Sequence, residues 1–281
     1  MNKIKSSLSH VTEEIMGMIN ELCDIAGYGV NSGIHPGKTG DKAAYYILNR
    51  LHAADLTGAR LEPIKVNSPF PEEYEVTVKV ERKETVLSDL CFPLQWTAGT
   101  PPEGIMGELA YVGDGSQSNF ELVNVAGKVA LIDEKFMRGY IATAKDATVI
   151  AKDKGAIAIF RANLQVDSPQ QQKGEGTPTD IFPIPVFCFS KSGGDYLREL
   201  ALSGAHHIVK MKLKAPHKVY DAFNVVFELS GNGSLNEVIL VGTHYDTGHF
   251  TGAVDNNGSV ALMINLAKYL LQRQWRQGTA T

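Results

Sequence analysis

An apolar run that ends in a His-x-Asp motif constrains this chain more than any other part of its sequence. Residues 237–241 read Glu-Val-Ile-Leu-Val, and four successive apolar residues predict a strand that is buried on both faces, as in an α/β sheet. His244 and Asp246 follow just beyond its carboxyl end, where α/β sheets place their ligands. Residues two apart in extended chain point the same way, so His244 can bind a metal ion while Asp246 orients its imidazole.

A second acidic motif opens the helix that comes next. Residues 252–259 read Gly-Ala-Val-Asp-Asn-Asn-Gly-Ser, and the apolar spacing beyond them predicts a helix over 255–274. From this position Asp255 can bridge two metal ions. Each motif has a plainer interpretation, because a lone His-x-Asp is common by chance and an aspartate before a helix is by default an N-cap. The two motifs together, after such a strand and before such a helix, favour a metal site.

Composition excludes several classes of protein. The 281 residues are 43% hydrophobic and 21% charged, with a net charge of −4. A nucleic-acid binder usually carries a basic excess, so we expect no nucleic-acid partner. No apolar run approaches the roughly 18 residues of a membrane span, and we expect no membrane partner. The three cysteines form neither a metal spacing nor a disulfide framework, which predicts a reduced, cytoplasmic protein.

The residue pattern changes twice along the chain and predicts three segments. Residues 1–85 predict two amphipathic helices followed by strands. Residues 86–215 carry short apolar strands separated by Gly, Pro and Asp turns, and this stretch is long enough to form its own domain. Residues 216–281 return to apolar strands and a helix. The middle stretch is therefore predicted to be a β-rich unit of its own between two segments of a different pattern.

The two motifs resemble those of the zinc-dependent exopeptidase family that includes bacterial leucyl aminopeptidases and glutamate carboxypeptidase. That family shows an apolar strand, then His-x-Asp, then a Gly-Ala-x-Asp-Asn turn into a helix. The resemblance implies that His244 is a zinc ligand and that Asp246 is the carboxylate behind it. It also implies that Asp255 bridges two zinc ions and that its bond to Asn256 is cis.

The middle segment resembles the protease-associated domain that many of these peptidases carry as an insert. The similarity lies in residues 107–115, 127–132, 155–159 and 184–186. The implied fold class is α/β: part of a phosphorylase/hydrolase-like zinc-peptidase sheet with an inserted β-rich protease-associated domain. Residues 1–85 and 216–281 then form the peptidase domain.

The sequence departs from the family pattern after Asp255. The family completes its site with a Glu-Glu pair, whose first member is the general base, and with a further Asp and His. None of these can be placed in this chain, which leaves His244 and Asp255 as metal ligands. We therefore expect a peptidase domain that is incomplete at its carboxyl end, and no activity of these 281 residues alone. Two zinc ions are expected in an intact relative, and the sequence leaves open whether two ligands retain metal here.

Two functions of different classes remain. The first is a cytoplasmic dizinc exopeptidase, an aminopeptidase with peptide substrates and no cofactor besides zinc. Its sheet would expose apolar surface and an open edge, and we expect a homo-oligomer to cover that edge. The alternative is a non-catalytic relative that binds peptide or protein through its protease-associated domain.

Overall fold

The chain divides into two compact units. The first, here called the split unit, comprises Met1–Val66 and Tyr220–Thr281, and the second, the inserted unit, is Asn67–Val219. The inserted unit thus begins before residue 86, because the strands that follow Asn67 are hydrogen-bonded into its sheet. The computed structural model describes residues 2–28, 32–69, 71–94, 96–134, 141–165, 167, 181–230, 237–248 and 250–278.

Two α-helices are followed by six strands, and helices and strands are interspersed from there on. The described residues form six α-helices: α1 (Asn2–Ala26), α2 (Gly40–His52), α3 (Gln117–Leu122), α4 (Ile141–Asp153), α5 (Lys191–Leu202) and α6 (Ser259–Gly278). They also form eleven strands: β1 (Arg60–Pro69), β2 (Glu73–Val80), β3 (Lys83–Val86), β4 (Cys91–Pro93), β5 (Ile105–Gly107), β6 (Leu109–Tyr111), β7 (Val129–Glu134), β8 (Ala158–Asn163), β9 (Val186–Phe189), β10 (His207–Lys214) and β11 (His217–Val226). None of the helices, as far as the chain is described, has the length and apolar character needed to cross a membrane.

The split unit is held together by α1, α2 and α6. Apolar side chains at helical spacing, such as Met18 and Leu22 on α1, are buried with Ile47 on α2 and Ile264 on α6. Helical spacing collects these residues on one face of each helix, and packing those faces together removes them from water. The two amphipathic helices predicted in residues 1–85 are confirmed as α1 and α2, and α1 begins at Asn2.

The predicted strand over 237–241 is wrong. These residues are in no strand, and Val238, Ile239 and Leu240 are 94%, 89% and 92% exposed. A strand that is buried on both faces needs a neighbour on each edge and a layer over each face. Within the described residues the split unit has one sheet, the pair β1–β11, and it does not include 237–241.

The inserted unit contains two sheets. One is antiparallel with the order β3-β2-β10-β5, and the other has the order β4-β9-β8-β7-β6. In the second sheet β6, β7, β8 and β9 are parallel, and β4 runs antiparallel to β9. Strands predicted from short apolar runs, such as 128–132 and 156–160, are confirmed as β7 and β8. Val129, Leu131 and Phe160 from these strands lie in one core with Val78 and Met211.

A charged pair lies inside the inserted unit. The Arg161 side chain is 1% exposed and donates a hydrogen bond to Glu134, whose side chain is 11% exposed. Burial lowers the pKa of Arg161, while the nearby Cys188 thiol raises it. A second charged group, in which Arg198 contacts Asp133 and Asp195, is about one-fifth to one-third exposed. The strand ends of β7 and β8 are therefore joined by electrostatic contacts as well as by the sheet.

Candidate metal centre

Two adjoining stretches of the split unit carry the residues that the motifs single out. The first is the irregular segment 242–248, and the second is the wide turn Ala253–Gly258 directly before α6. The turn packs against α1, and its Asn257 is fully buried. The Asn257 backbone N–H donates to the Gly252 carbonyl at 2.9 Å, and its Nδ2 donates to the Thr251 carbonyl at 2.8 Å. These bonds fix the turn that presents Asp255.

His244 lies between two carboxylates. Its Nδ1 is 2.9 Å from the Asp246 carbonyl oxygen and 3.3 Å from Asp246 Oδ1. Its Nε2 is 3.4 Å from Asp255 Oδ1. A carbonyl oxygen only accepts hydrogen bonds, so Nδ1 donates to it, and Nε2 is the ring nitrogen that faces Asp255 and that carries the lone pair whenever the ring is neutral. The arrangement thus places two electron-pair donors opposite each other and orients the ring from behind.

The spacing of these two donors fits a zinc ion. Zinc binds histidine nitrogen at about 2.0–2.1 Å and carboxylate oxygen at about 2.0–2.2 Å in tetrahedral sites. Two such bonds at a tetrahedral angle hold the ligand atoms about 3.4 Å apart, and the distance from Nε2 to Oδ1 is 3.4 Å. It is also longer than an ordinary hydrogen bond of about 2.7–3.2 Å. The side chains of His244 and Asp255 are 53% and 48% exposed, so an ion can enter from solvent.

The described residues supply only part of a metal centre. No group of three or more His, Cys, Asp or Glu side chains able to hold a metal ion occurs among them. His249, which the sequence places in the same loop, lies outside the described residues. The structure thus brings His244, Asp246 and Asp255 together and adds no third metal ligand from the part of the chain that it describes.

The neighbours of His244 and Asp255 are also in contact. The Asn256 side-chain Nδ2 donates to Thr243 Oγ1 at 3.0 Å, so a residue adjacent to His244 is hydrogen-bonded to a residue adjacent to Asp255. The bond between Asp255 and Asn256 is cis. The Tyr245 hydroxyl donates to the Phe223 carbonyl at 2.7 Å, and burial raises the pKa of Tyr245. These contacts anchor the segment that carries His244 although it forms no strand.

Sequence patterns did not reveal the contacts between this site and the amino-terminal loop, defined here as residues 32–39. Ile34 and Thr247 exchange backbone and side-chain hydrogen bonds of 2.8 Å. His35 is buried in the same loop, and burial, with a smaller effect of Lys38, lowers its pKa to about 4. The available signal was the Gly-rich composition of 27–40, which indicates a loop but not its partner.

Cys91 and Cys188 lie in the inserted unit, whereas Cys23 accepts a hydrogen bond from Asn257 Nδ2 at 3.6 Å. All three are free and buried, as expected for small hydrophobic residues. Burial raises the pKa of the Cys91 thiol well above its usual value and that of Cys188 to about 11. A thiol in that state is a poor nucleophile and a poor metal ligand at neutral pH.

Comparison with known proteins places the two motifs in a family. Residues 224–280 match the sequence profile of peptidase family M28, and this stretch includes His244, Asp246 and Asp255. Residues 224–280 therefore carry the sequence pattern of the M28 peptidases. The mixed α/β architecture with several sheets is shared with the solved structures of a peptidase M28 precursor and of a zinc aminopeptidase.

Curated relatives of two kinds align with most of this chain. Carboxypeptidase Q from Homo sapiens is 27% identical over 231 residues, which are 78% of this chain and 47% of that protein. The probable lipoprotein aminopeptidase LpqL from Mycobacterium tuberculosis is 29% identical over 271 residues, 92% of this chain and 49% of that protein. The chain therefore spans about half the length of the curated relatives it matches.

Solved structures with the same fold include two bacterial proteins. The peptidase M28 precursor from Shewanella amazonensis SB2B superposes with a TM-score of 0.68 at 17% identity, over 96% of this chain and 64% of that one. A zinc aminopeptidase from Bacillus subtilis superposes with a TM-score of 0.65 at 20% identity, over 92% of this chain and 57% of that one.

Proposed function

We propose that this chain is part of a zinc metallo-exopeptidase with two co-catalytic zinc ions, an aminopeptidase that removes amino-terminal residues from peptides. The observation that carries the proposal is the 3.4 Å separation of His244 Nε2 and Asp255 Oδ1, with Asp246 holding the ring from behind. The M28 match over both motifs supports peptidase chemistry. The aminopeptidase relative aligns with 92% of this chain and carboxypeptidase Q with 78%, which favours the aminopeptidase.

Different residues would bind the metal ion and orient its ligands. His244 and Asp255 would hold zinc, and Asp246 would keep His244 in the tautomer that leaves Nε2 free to coordinate. When bound, zinc polarises a scissile carbonyl and lowers the pKa of a coordinated water. We also propose that residues 86–215 are a protease-associated domain.

We expect the 281 residues alone to be inactive. A catalytic zinc site normally has three protein ligands and a water, and the described residues place two ligand side chains together. A carboxylate that takes a proton from the water is also required, and the Asp246 carboxylate already faces Nδ1 of His244.

The proposal is tested by titrating the protein with Co²⁺, a spectroscopic substitute for zinc. Wild type is compared with His244→Ala and Asp255→Ala. The matched control is His206→Ala, which removes an exposed histidine whose Nδ1 is 3.1 Å from Glu108 in the inserted unit. We expect both site variants to weaken binding by tenfold or more and the control to have no effect. Equal binding by all four proteins contradicts the metal site.

A second candidate function is peptide or protein binding through residues 86–215 without catalysis. It is favoured by one observation, the absence of a group of three metal ligands in the described part of the chain. The Asp255→Ala variant separates the two functions. If metal content and partner binding are both unchanged in this variant, the binding function replaces the peptidase proposal.

We also propose how the exposed apolar segment is accommodated. Residues 238–241 contain no charge or proline, which are the features that protect an edge strand in a monomer. A second copy of the chain is the proposed cover for this segment.

A cytoplasmic location stays a prediction, for which the buried free thiols are the supporting observation.

A further inference from the structure

Thr247 lies where the amino-terminal loop meets the segment that carries His244. The Ile34 backbone N–H donates to Thr247 Oγ1 at 2.8 Å, across 213 residues of sequence. The Thr247 backbone N–H donates back to the Ile34 carbonyl, also at 2.8 Å. The Thr247 hydroxyl then donates to the Phe250 carbonyl at 2.9 Å. Thr247 is 4% exposed, so this residue is both buried and fully engaged.

Two glycines allow the backbone to approach this residue closely. A Cβ atom on Gly252 would lie 2.1 Å from Thr247 Cγ2 and 3.1 Å from the Asp255 carbonyl oxygen, and Gly252 has a φ of +74°. A Cβ atom on Gly33 would lie 2.1 Å from the Gly248 carbonyl oxygen. Only glycine fits at either position, because any side chain would overlap these atoms. Thr247 thus touches the turn that presents Asp255 as well as the amino-terminal loop.

The amino-terminal loop is itself rigidly folded. Thr39 Oγ1 donates to the Gly33 carbonyl at 2.6 Å, and the Gly40 N–H donates to the His35 carbonyl at 3.0 Å at the start of α2. The loop therefore connects α2 to Thr247 through consecutive hydrogen bonds. A side chain that fixes two segments at once limits how far the atoms attached to those segments can move.

We propose that Thr247 is a positioning residue for the metal site: it couples the amino-terminal loop to His244 and Asp255 and holds their side chains at the separation that zinc requires. The inference rests on the proposed metal function. Thr247 touches no metal or substrate, and it acts through the two ligand-bearing segments. Removing a group that is hydrogen-bonded to a metal ligand typically changes metal affinity by about 10- to 100-fold, and we expect an effect within this range for Thr247 because it holds both ligand-bearing segments.

The test compares two substitutions that each remove one part of the side chain. Thr247→Val keeps both branches of the side chain and loses the hydroxyl, whereas Thr247→Ser keeps the hydroxyl and loses Cγ2. We expect Thr247→Val to lower Co²⁺ affinity by about 10- to 100-fold and Thr247→Ser to retain most of it. A Thr247→Val protein that has a lower Tm but binds Co²⁺ as tightly as wild type assigns a purely structural role and overturns the proposal.

A second measurement on the wild-type protein covers the case in which Thr247→Val does not fold. If the loop stabilises the metal-bound site, then metal must stabilise the loop by the same free energy. We therefore expect Co²⁺ to slow hydrogen exchange at the Ile34 amide and leave the Val209 amide in the inserted unit unchanged. Unchanged exchange at Ile34 in protein that has bound Co²⁺ overturns the proposal.

The outcome also separates this inference from the proposed function. If wild type and His244→Ala bind Co²⁺ equally, the metal site itself is refuted. If His244→Ala loses affinity while Thr247→Val keeps it, the metal site stands and only the role of Thr247 is refuted.

Discussion

Arg161 and Glu134 form a buried charged pair on which the stability of the inserted unit depends. A charged side chain that is 1% exposed is tolerated only while its partner is present. We expect Arg161→Ala to lower the free energy of unfolding of the inserted unit by about 3–5 kcal/mol, since Glu134 would stay buried without its partner. Urea denaturation followed by circular dichroism measures this change.

Two further variants serve as controls for Arg161. Lys191→Ala breaks an exposed pair with Asp195 in the same unit, and a change below about 1 kcal/mol is expected. The double variant Arg161→Met with Glu134→Gln removes both charges and should be less destabilised than Arg161→Ala. Equal stability of Arg161→Ala and wild type would mean that the buried pair contributes nothing.

His35 makes the stability of the split unit depend on pH. Burial lowers the folded-state pKa of His35 to about 4, whereas the pKa of a histidine in an unfolded chain is about 6.5. Between these values the unfolded chain binds a proton that the folded chain does not, so stability is full above pH 6.5 and falls as the pH approaches 4. The full loss corresponds to about 3 kcal/mol.

The measurement is the unfolding midpoint between pH 7.5 and pH 4.5 for wild type and His35→Gln. Carboxylates contribute to the pH dependence of stability in both proteins, so the difference between the two curves gives the contribution of His35. The variant should show a shallower decline below pH 6.5. Parallel curves would show that His35 titrates normally in the folded protein.

The identity of the site residues was predictable from sequence to different degrees. His244, Asp246 and Asp255 could be predicted as candidate site residues, because each lies in a local motif whose spacing implies a shared chemistry. Their proximity in the structure agrees with that interpretation. The role of Thr247 could not be predicted, because its partner Ile34 is 213 residues away and contributes only backbone atoms, which any residue has.

At the scale of elements, the turn before α6 imposes the strictest requirement on sequence. Gly252 has a φ of +74° and lies against Thr247. We expect Gly252→Ala to destabilise the split unit by more than about 1 kcal/mol, because the new Cβ atom is strained and overlaps Thr247. Gly17→Ala in α1 is the matched control, since nothing lies within 4 Å of its added Cβ atom.

The stability of the control variant Gly17→Ala should change in the opposite direction. Alanine is a better helix former than glycine, so Gly17→Ala should stabilise the protein by about 0.5–1 kcal/mol. Thermal unfolding of the two variants measures both changes. A Gly252→Ala protein as stable as wild type would show that the close approach to Thr247 is not required.

The elements themselves were predictable where local pattern decides and not where distant neighbours decide. The helical spacing of Met18 and Leu22 requires only one packed face, and α1 formed as expected. The segment 237–241 has an equally strong apolar pattern, but a strand exists only when other strands pair with it. Within the described residues no strand pairs with it, and Leu240 is 92% exposed.

At the scale of the whole molecule, that exposed segment predicts self-association. Val238, Ile239 and Leu240 would lose their contact with water on pairing with a second copy, which is the driving force for association. We expect the wild-type protein to sediment as a dimer or larger species and Leu240→Lys to sediment as a smaller one. A wild-type monomer that binds no apolar dye would contradict this expectation, because the segment would then be covered within one chain.

The proposed peptidase function depends on a metal ion between His244 and Asp255. The most direct measurement is anomalous diffraction at the zinc edge from crystals grown with excess zinc. The expected result is a peak within about 2.0–2.2 Å of both His244 Nε2 and Asp255 Oδ1. Zinc bound elsewhere, with no density between these two atoms, would contradict the metal site and with it the proposed peptidase function.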